Sequence, residues 1–393
     1  MKQFKLGLLP KVIIAIFVGT ICGKFFPESV IKACVTFSGL FSELLAFIVP
    51  ILIISLVGAA IADTRSNAGK MLIYTILLAW SSTVLCGIFG YNIADFLIPK
   101  IANQVTNVVS NESVEPFFSI KFPPIMDTMS ALVLSFILGI GILSKATKVI
   151  HGFLQELREI VLMVLDKCII PLLPLSVFCT FSKMSFLGTA SKLIADFLPV
   201  MGLCIALTIT WIIVLYLIAG AISKRNPFKL LKTMLPAYLT ALATSSSAAT
   251  LPVTLRQAHK LNLAPEVVDF TIPICANIHL SGGMIDVISL TVGVLFMTGG
   301  NYELSNFLNF IFMMSFTAVA APGIPGGVIM IAQGLLVSAL GFTPEQISLI
   351  IALYISIDAF GTAGNVTGDG ALSVIVDNLL KKKAVEKDSI ERP

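Results

Sequence analysis

Four polar residues recur at helical spacing near the end of the sequence, inside an otherwise apolar segment. They step by four, three and four residues: Asp358, Thr362, Asn365 and Asp369. One α-helix would carry all four on a single stripe, and glycines at neighbouring positions allow another backbone to approach closely. Two carboxylates, an amide and a hydroxyl buried without partners would cost several kcal/mol. We therefore expect a binding site along this stripe; a purely structural role is the alternative.

Two further ionisable residues, His279 and Asp286, lie in the apolar segment 265–298. They are seven residues apart, so an intact helix would place them on one face, two turns apart. Asn277 and Ser281 lie beside His279, and the glycines that follow loosen this stretch. Ionisable residues deep in an apolar segment are candidates for function. The alternatives are a hydrogen-bonded core histidine and an aspartate near the outer membrane interface.

The composition sets the environment in which these polar residues must work. A soluble protein carries about 25 % charged residues, whereas this chain of 393 residues has 12 % charged and 56 % hydrophobic residues. Its mean hydropathy is +0.96. A charged shell for a soluble globule is therefore missing, and the bilayer is the expected solvent. This excludes a disordered chain, a coiled coil and a nucleic-acid-binding domain, and it predicts an all-α integral membrane protein.

The apolar stretches predict eight transmembrane helices and two further segments of a different kind. The eight stretches long enough to span a bilayer are 8–26, 40–62, 71–98, 126–144, 160–182, 193–222, 265–298 and 345–380. The other two, 229–256 and 305–341, are interrupted by small, polar or proline residues. Two interrupted segments in corresponding positions point to re-entrant hairpins in a transporter built from inverted repeats. The alternative is a pair of ordinary kinked helices.

Charge placement predicts the orientation in the membrane. With both termini cytoplasmic and the hairpins entering from opposite sides, 19 of the 26 Lys and Arg residues fall inside and six outside. This agrees with the positive-inside rule. We expect a multi-pass protein of the inner or plasma membrane, in contact with membrane lipid.

The sequence offers no motif for enzymatic chemistry. It contains no HExxH, no GxSxG and no Walker A sequence, the motifs of zinc proteases, serine hydrolases and P-loop ATPases. The seven cysteines are scattered through apolar segments without a CxxC pair. We therefore predict a protein that is not an enzyme, uses no cofactor or resident metal, and binds no nucleic acid.

Two motifs resemble one family of transporters. The sequence TSSSAATLPVT at 244–254 resembles the first hairpin of the dicarboxylate/amino acid:cation symporters, the glutamate transporter family, and NVTGD at 365–369 resembles the motif in that family's last helix. Residues 50–62 resemble its second span. The resemblance follows the whole chain in order. It implies a homotrimer whose transport domains move like elevators against a rigid scaffold.

The resemblance also implies a domain division and a set of site residues. The scaffold would comprise spans 1 and 2 in 1–70 and spans 4 and 5 in 99–182. The transport domain would comprise span 3 in 71–98 and then 193–380, with 381–393 as a cytoplasmic tail. Asp358 would hold a substrate amino group and Asn365 its α-carboxylate. The other substrate-binding residues would be Thr362 on the stripe and the two hairpin tips: Ser245, Ser246, Ser247, Ala248, Ala321, Pro322, Gly323, Ile324, Pro325 and Gly326.

The chain departs from the family pattern where that family binds acidic side chains and sodium. The family's arginine for a second carboxylate falls at Gly361. The sodium motif NMDGT aligns with 279–283, HLSGG in this chain, and the sodium ligands of the third span fall at Ile76, Ala79 and Trp80. Only Asn365 and Asp369 remain, as a residual cation site.

We therefore predict a sodium-independent transporter of a small L-amino acid, with a neutral or small side chain favoured. Histidine, with an ordinary pKa of about 6.5, changes charge in the physiological range, so His279 is a candidate to replace sodium opposite Asp369. Transport would then be proton-coupled, or uncoupled if the proton never leaves. The full set of coupling candidates is His279, Asp286, Asp369, Asn277 and Ser281. The alternatives are an aspartate, glutamate or dicarboxylate symporter, an anion channel and a ligand sensor.

Overall fold

The computed structural model describes residues 8–62, 69–102, 114–126, 128–145, 147–188, 190–318, 321 and 325–390. Within these ranges the regular structure is helical and contains no β-strand. The predicted all-α class is thus confirmed for the described part of the chain.

The first half of the described chain forms long helices, with a five-residue π-helical turn at Leu165–Ile169 between the fifth and the sixth. These helices are α1 (Leu8–Gly23), α2 (Glu28–Ala62), α3 (Gly69–Ile101), α4 (Thr128–Lys145), α5 (Lys148–Val164), α6 (Ile170–Phe186) and α7 (Ala190–Ser223). The second half is divided into shorter helices before one long final helix: α8 (Pro227–Thr244), α9 (Ser247–His259), α10 (Pro265–Ile278), α11 (Ser281–Thr298), α12 (Leu304–Ala318), α13 (Gly327–Leu340) and α14 (Pro344–Ile390).

Several of these helices are long and apolar enough to cross a membrane. In the described ranges five stretches meet that criterion: Met71–Ile101, Lys148–Phe186, Ala195–Ser223, Pro265–Thr298 and Pro344–Lys381. Each overlaps a predicted span, whereas the total of eight spans stays a prediction. The span predicted to start at residue 160 belongs to a helical stretch that starts at Lys148. The prediction starts later than the helix because the first turns of α5 contain charged residues and therefore do not form an apolar run.

The helices pack in two groups. In the first, α2 packs against α4, α5 and α6, and α1 packs against α6. In the second, α14 packs against α7, α8, α10 and α11, while α3 packs against α11. The groups meet where α1 and α6 contact α14 and where α13 contacts α2. The predicted site residues of α14 and of the α10–α11 region therefore lie in the second group.

Both interrupted segments form helical hairpins. Helices α8 and α9 pack against each other, as do α12 and α13. The first turn is made at Ser245, which adopts the left-handed conformation with φ 49°, and α9 then begins with Ser246 as its N-cap. The alternative of a kinked helix is therefore wrong for 229–256. The packing of α12 against α13 favours a hairpin in 305–341 as well, although most of its turn lies outside the described residues.

The expectation that His279 and Asp286 share one helix face is also wrong. The helix breaks between α10 and α11, where His279 is extended (φ −101°, ψ 100°) and Leu280 is non-helical. The two side chains consequently belong to different elements and contact different neighbours.

Candidate functional site

The polar stripe lies on the middle of α14, which continues through its glycines without interruption. Asp358, Thr362, Asn365 and Asp369 are all buried, as an inward-facing stripe at this spacing requires. The helix can approach its neighbours here because small residues line it: a Cβ added at Gly368 would lie 2.7 Å from His279 Cε1. The stripe is therefore packed against the break between α10 and α11.

His279 joins α14 to α3 through both of its ring nitrogens. Its Nδ1 lies 2.9 Å from Asp369 Oδ1, and its Nε2 lies 3.0 Å from Ser82 Oγ. The side chains of His279 and Asp369 are 0 % exposed. A serine hydroxyl can donate or accept a hydrogen bond, so Ser82 can pair with Nε2 whether the ring is neutral or protonated. The arrangement can hold a positive charge directly against a buried carboxylate.

Asn365 is oriented by the start of α11. Its Oδ1 accepts hydrogen bonds from the backbone N–H groups of Gly282 at 2.8 Å and Gly283 at 3.3 Å. Two backbone donors fix which end of the amide is the oxygen, so the NH₂ group is turned away from α11. That group can donate to an anionic ligand.

Asp358 contacts the second hairpin. Its Oδ2 accepts a hydrogen bond of 2.8 Å from the backbone N–H of Gly326, just before α13. Gly326 has φ +76°, a left-handed conformation that glycine adopts without strain. The Tyr354 hydroxyl, one turn earlier on α14, lies beside the same carboxylate. Asp358 thus holds the tip of this hairpin against the stripe.

The other hairpin residues are placed with less contact to the stripe. Ala321 is buried and Pro325 is half-buried, whereas Pro322, Gly323 and Ile324 lie outside the described residues. In the first hairpin, Ser246 Oγ accepts from Ala249 N at 3.2 Å. Ser247 is buried, Ser245 is half-buried and Ala248 is exposed at the start of α9. The described serines therefore shape the turn between α8 and α9.

Asp286 lies deep between three helices. Its side chain is 0 % exposed and is enclosed by protein. Its Oδ1 accepts from Thr208 Oγ1 of α7 at 3.3 Å, and its Oδ2 has no hydrogen-bond partner among the described residues. A Cβ added at Gly361 would collide with Oδ2. The carboxylate therefore lies directly against the stripe helix.

Two predicted coupling residues behave differently from each other. Ser281 is buried at the start of α11, where its carbonyl oxygen accepts from Cys86 Sγ at 3.2 Å. Asn277 lies on the exposed side of α10, and its Nδ2 donates to Pro273 O one turn earlier at 2.8 Å. Asn277 is thus exposed on a helical stretch of α10, whereas His279 and Asp369 are buried, and its role in coupling stays a prediction.

Three partners of the buried carboxylates and imidazole were missed by sequence reasoning: Ser82, Thr208 and Tyr354. Ser82 belongs to a run of three hydroxyl residues at 81–83 inside the apolar span 71–98, and this run is a signal that could have been used. Tyr354 lies four residues before Asp358 and so continues the stripe, which is a second signal that could have been used. The local pattern around Thr208 gives no comparable signal.

A large cavity of about 640 Å³ lies apart from the stripe. It is bounded by α2, α6, the segment 114–126 and the outer ends of α13 and α14. Lys183 of α6 and Glu345 of α14 form an ion pair of 3.4 Å at its wall. None of the buried carboxylates described above lines this cavity, so it is a gap between the two helix groups rather than the candidate binding site.

Comparison with known proteins identifies the family. The family model described as the sodium:dicarboxylate symporter family matches residues 8–379. The serine/threonine transporter SstT of Acinetobacter baumannii is 27 % identical over 404 residues, covering 95 % of this chain and 97 % of the relative. Excitatory amino acid transporter 3 is 32 % identical in Mus musculus and 31 % in Homo sapiens, over 183 residues that cover 46 % of this chain.

The aligned part spans only 35 % of the length of these excitatory amino acid transporters. The family model, by contrast, covers nearly the whole described chain and confirms the resemblance carried by the first hairpin and the NVTGD motif. The chain belongs to the sodium:dicarboxylate symporter family.

Proposed function

We propose that this protein carries a small, neutral L-amino acid across the membrane without sodium. Its family makes it a secondary transporter and an integral membrane protein; the substrate, the coupling and the mechanism are our proposal. The observation that carries it is the buried His279–Asp369 pair of 2.9 Å. A protonated imidazole there supplies a positive charge next to the carboxylate that a bound cation would otherwise neutralise.

The proposed substrate is bound by two residues of α14, seven positions apart on one stripe. Asp358 provides a carboxylate for the α-ammonium group, and the NH₂ group of Asn365 provides a donor for the α-carboxylate. The hairpin tips at Ser245–Ala248 and Ala321–Gly326 complete the carboxylate site. Gly361 offers no guanidinium to a second carboxylate, which supports a neutral side chain.

The proposed coupling ion is the proton. The third span offers no sodium ligand at Ile76, Ala79 or Trp80, whereas Ser82 of the same helix pairs with His279. Because Ser82 can serve both charge states of the ring, the site tolerates the gain and the loss of one proton. Asp286 is a further candidate for proton relay. If His279 kept its proton throughout the cycle, transport would be facilitated diffusion.

The proposed mechanism is the elevator movement of a homotrimer. The two helix groups support a division into a scaffold of α1, α2, α4, α5 and α6 and a mobile unit that carries the stripe and both hairpins. The assigned residues of α14 and of the α10–α11 region lie in that second group. A rigid displacement of the group would therefore move the site without taking it apart.

One alternative is favoured by the comparisons. The family description names dicarboxylates, and excitatory amino acid transporter 3 is named for excitatory amino acids, so aspartate, glutamate or a dicarboxylate is the second candidate substrate. The serine/threonine transporter that matches along the whole chain favours the neutral substrate instead. Residues at and around Gly361 decide between the two.

Uptake into proteoliposomes tests the proposal. The purified protein is reconstituted, and uptake of radiolabelled L-serine, L-alanine and L-aspartate is measured with sodium varied from zero to saturating and with an inward or an absent proton gradient. We expect saturable uptake of a neutral amino acid that is unaffected by sodium and accelerated by the proton gradient.

The alternative functions would give different results in this experiment. A sodium-dependent rise in affinity would overturn sodium independence, and current without saturable uptake would indicate a channel. Binding without uptake would indicate a sensor. Saturable uptake that ignores both gradients would leave uncoupled transport.

A further inference from the structure

The carboxylate of Asp286 is not explained by substrate backbone binding or by the His279–Asp369 pair. It is fully buried, Thr208 donates to its Oδ1 at 3.3 Å, and its Oδ2 has no hydrogen-bond partner within the described residues. A buried carboxylate oxygen without a donor is costly. A ligand that brought a donor to Oδ2 would remove that cost.

The position of Oδ2 places it beside the proposed substrate residues. It occupies the space into which a side chain at position 361 would extend. Position 361 follows Asp358 by three residues and precedes Asn365 by four, so all three share one side of α14. Gly283, whose N–H donates to Asn365 Oδ1, also borders this point. Asp286 thus reaches the stripe between the two groups assigned to the substrate ammonium and carboxylate.

Among the described residues, the ionisable groups that interact with Asp286 are acids. The ionisable groups close enough to interact electrostatically with Asp286 are Asp358 and Tyr354 of α14, Cys86 of α3, Cys204 of α7 and Tyr238 of α8. None of these side chains can carry a positive charge. The family arginine that would bind an acidic side chain falls at Gly361. Acidic side chains therefore surround this point of the chain, where the resemblance implies an arginine.

We infer that Asp286 selects the side chain of the substrate, accepting a hydrogen bond at Oδ2 from a hydroxyl or ammonium group on a short side chain and rejecting a carboxylate. This inference rests on the proposed function, because Asp358 and Asn365 must hold the amino acid for its side chain to reach Asp286. Only glycine at position 361 lets Oδ2 lie this close to α14, because a Cβ there would collide with it. Selectivity arises because only a donor satisfies Oδ2, while a second carboxylate adds repulsion to that of Asp358.

A set of related L-amino acids tests this inference. Dissociation constants are measured for alanine, serine, 2,4-diaminobutyrate and aspartate with the unaltered protein and with Asp286→Asn. In the unaltered protein we expect serine or 2,4-diaminobutyrate to bind about tenfold or more tighter than alanine, the effect of one hydrogen bond to a charged acceptor, and aspartate to bind most weakly. The relative affinities of serine and 2,4-diaminobutyrate distinguish a hydroxyl from an ammonium ligand.

Asp286→Asn should reduce the advantage over alanine to about threefold or less and leave alanine itself within about threefold. Thr291→Val on the same helix is the matched control, because Thr291 Oγ1 donates to the carbonyl of Val287 in its own helix rather than to α14. It should leave the ranking unchanged.

Two results would overturn the inference: aspartate binding as tightly as serine in the unaltered protein, or an unchanged ranking in a folded Asp286→Asn protein. The ranking in the unaltered protein decides even if that variant does not fold. Failure of the proposed function looks different, since no amino acid would bind at all, or Asp358→Asn would bind serine like the unaltered protein.

Discussion

His279 Nδ1 lies 2.9 Å from Asp369 Oδ1, and neither side chain is exposed. The histidine comes from the break between α10 and α11, and the aspartate from the middle of α14. A protonated imidazole at this distance stabilises the ionised carboxylate, whereas removing one partner leaves the other buried without compensation. Transport and its pH dependence should therefore depend on this pair.

The first prediction concerns the charge of His279. A proton that binds together with the substrate stabilises the bound state, so substrate affinity should fall as pH rises, by up to about tenfold per pH unit where one proton is taken up. Glutamine cannot be protonated, so in His279→Gln the substrate affinity should not change with pH. That affinity should be lower than in the unaltered protein by up to about tenfold. Binding is measured by calorimetry at several pH values.

His259→Gln is the control for this prediction. His259 also pairs with a carboxylate, Asp269, at 2.8 Å, but both side chains are substantially exposed. Its replacement should leave the pH response unchanged. A pH response that survives in His279→Gln would remove His279 from the coupling mechanism.

The second prediction concerns the close approach of α14 to His279. A Cβ at Gly368 would lie 2.7 Å from His279 Cε1 and 3.2 Å from Leu215 Cδ1, so Gly368→Ala should displace the imidazole and weaken substrate binding at least about tenfold. Overpacking of this kind costs about 1–3 kcal/mol, so the melting temperature should fall too.

Gly202→Ala on α7 is the matched helical control, because its added Cβ would meet no described residue within 4 Å beyond the adjacent backbone of α7. It should keep both binding and the melting temperature, since alanine is favoured over glycine in a helix. Equal behaviour of the two variants would contradict the close contact with His279.

The third prediction separates the two ends of the Asn365 amide. Asn365→Asp keeps an oxygen for the N–H groups of Gly282 and Gly283, but it replaces the NH₂ donor with a negative charge. The fold should persist, while affinity for the amino acid falls about a hundredfold, as the loss of a charge-assisted bond and added repulsion imply. Thermal unfolding and binding are measured on the same sample, and an affinity within threefold of the original would sink the assignment.

The fourth prediction concerns the ion pair between the two helix groups. Lys183 Nζ lies 3.4 Å from Glu345 Oε1, with side-chain exposures of 18 % and 58 %. Exposed pairs contribute about 0–1 kcal/mol, so Glu345→Gln should change the melting temperature little. If the two helix groups move relative to each other during transport, Glu345→Gln should alter the uptake rate by up to about fivefold. The dissociation constant of the substrate should not change. A double-mutant cycle with Lys183→Met measures the coupling between the two side chains. Fully additive effects on the uptake rate would argue against a role of this ion pair in transport.

The parts of the site that could be predicted are those set by local periodicity. The stripe from Asp358 to Asp369 followed from residue spacing, and α14 carries it as one uninterrupted helix. The hairpins followed from polar and proline residues in the middle of apolar segments. The family resemblance placed His279 opposite Asp369, which spacing alone could not do.

The parts that could not be predicted depend on contacts between distant segments. Ser82 meets His279 across 197 positions of sequence, and Thr208 meets Asp286 across 78; no local pattern encodes such pairs. The sequence also did not locate the helix break at His279. The glycines that indicated a loosened stretch, at 282 and 283, lie inside α11 rather than at the break.

The last prediction concerns Asp358, whose carboxylate would have two binding partners. Its Oδ2 accepts from Gly326 N at 2.8 Å, while the proposed substrate ammonium needs the same carboxylate. Asp358→Asn keeps one oxygen for the hairpin but loses the charge, so amino-acid affinity should fall by about 2–5 kcal/mol, the cost of truncating a buried charge pair. Hydrogen exchange of the amides at 326–330 reports the hairpin contact separately. We expect Asp358→Asn to weaken binding by this amount with modest changes in that exchange, whereas Asp358→Ala should weaken binding and also accelerate exchange at the start of α13. Unchanged affinity in Asp358→Asn, or tight binding of a dicarboxylate that lacks an amino group, would remove Asp358 from substrate recognition and leave it as a residue that holds the hairpin.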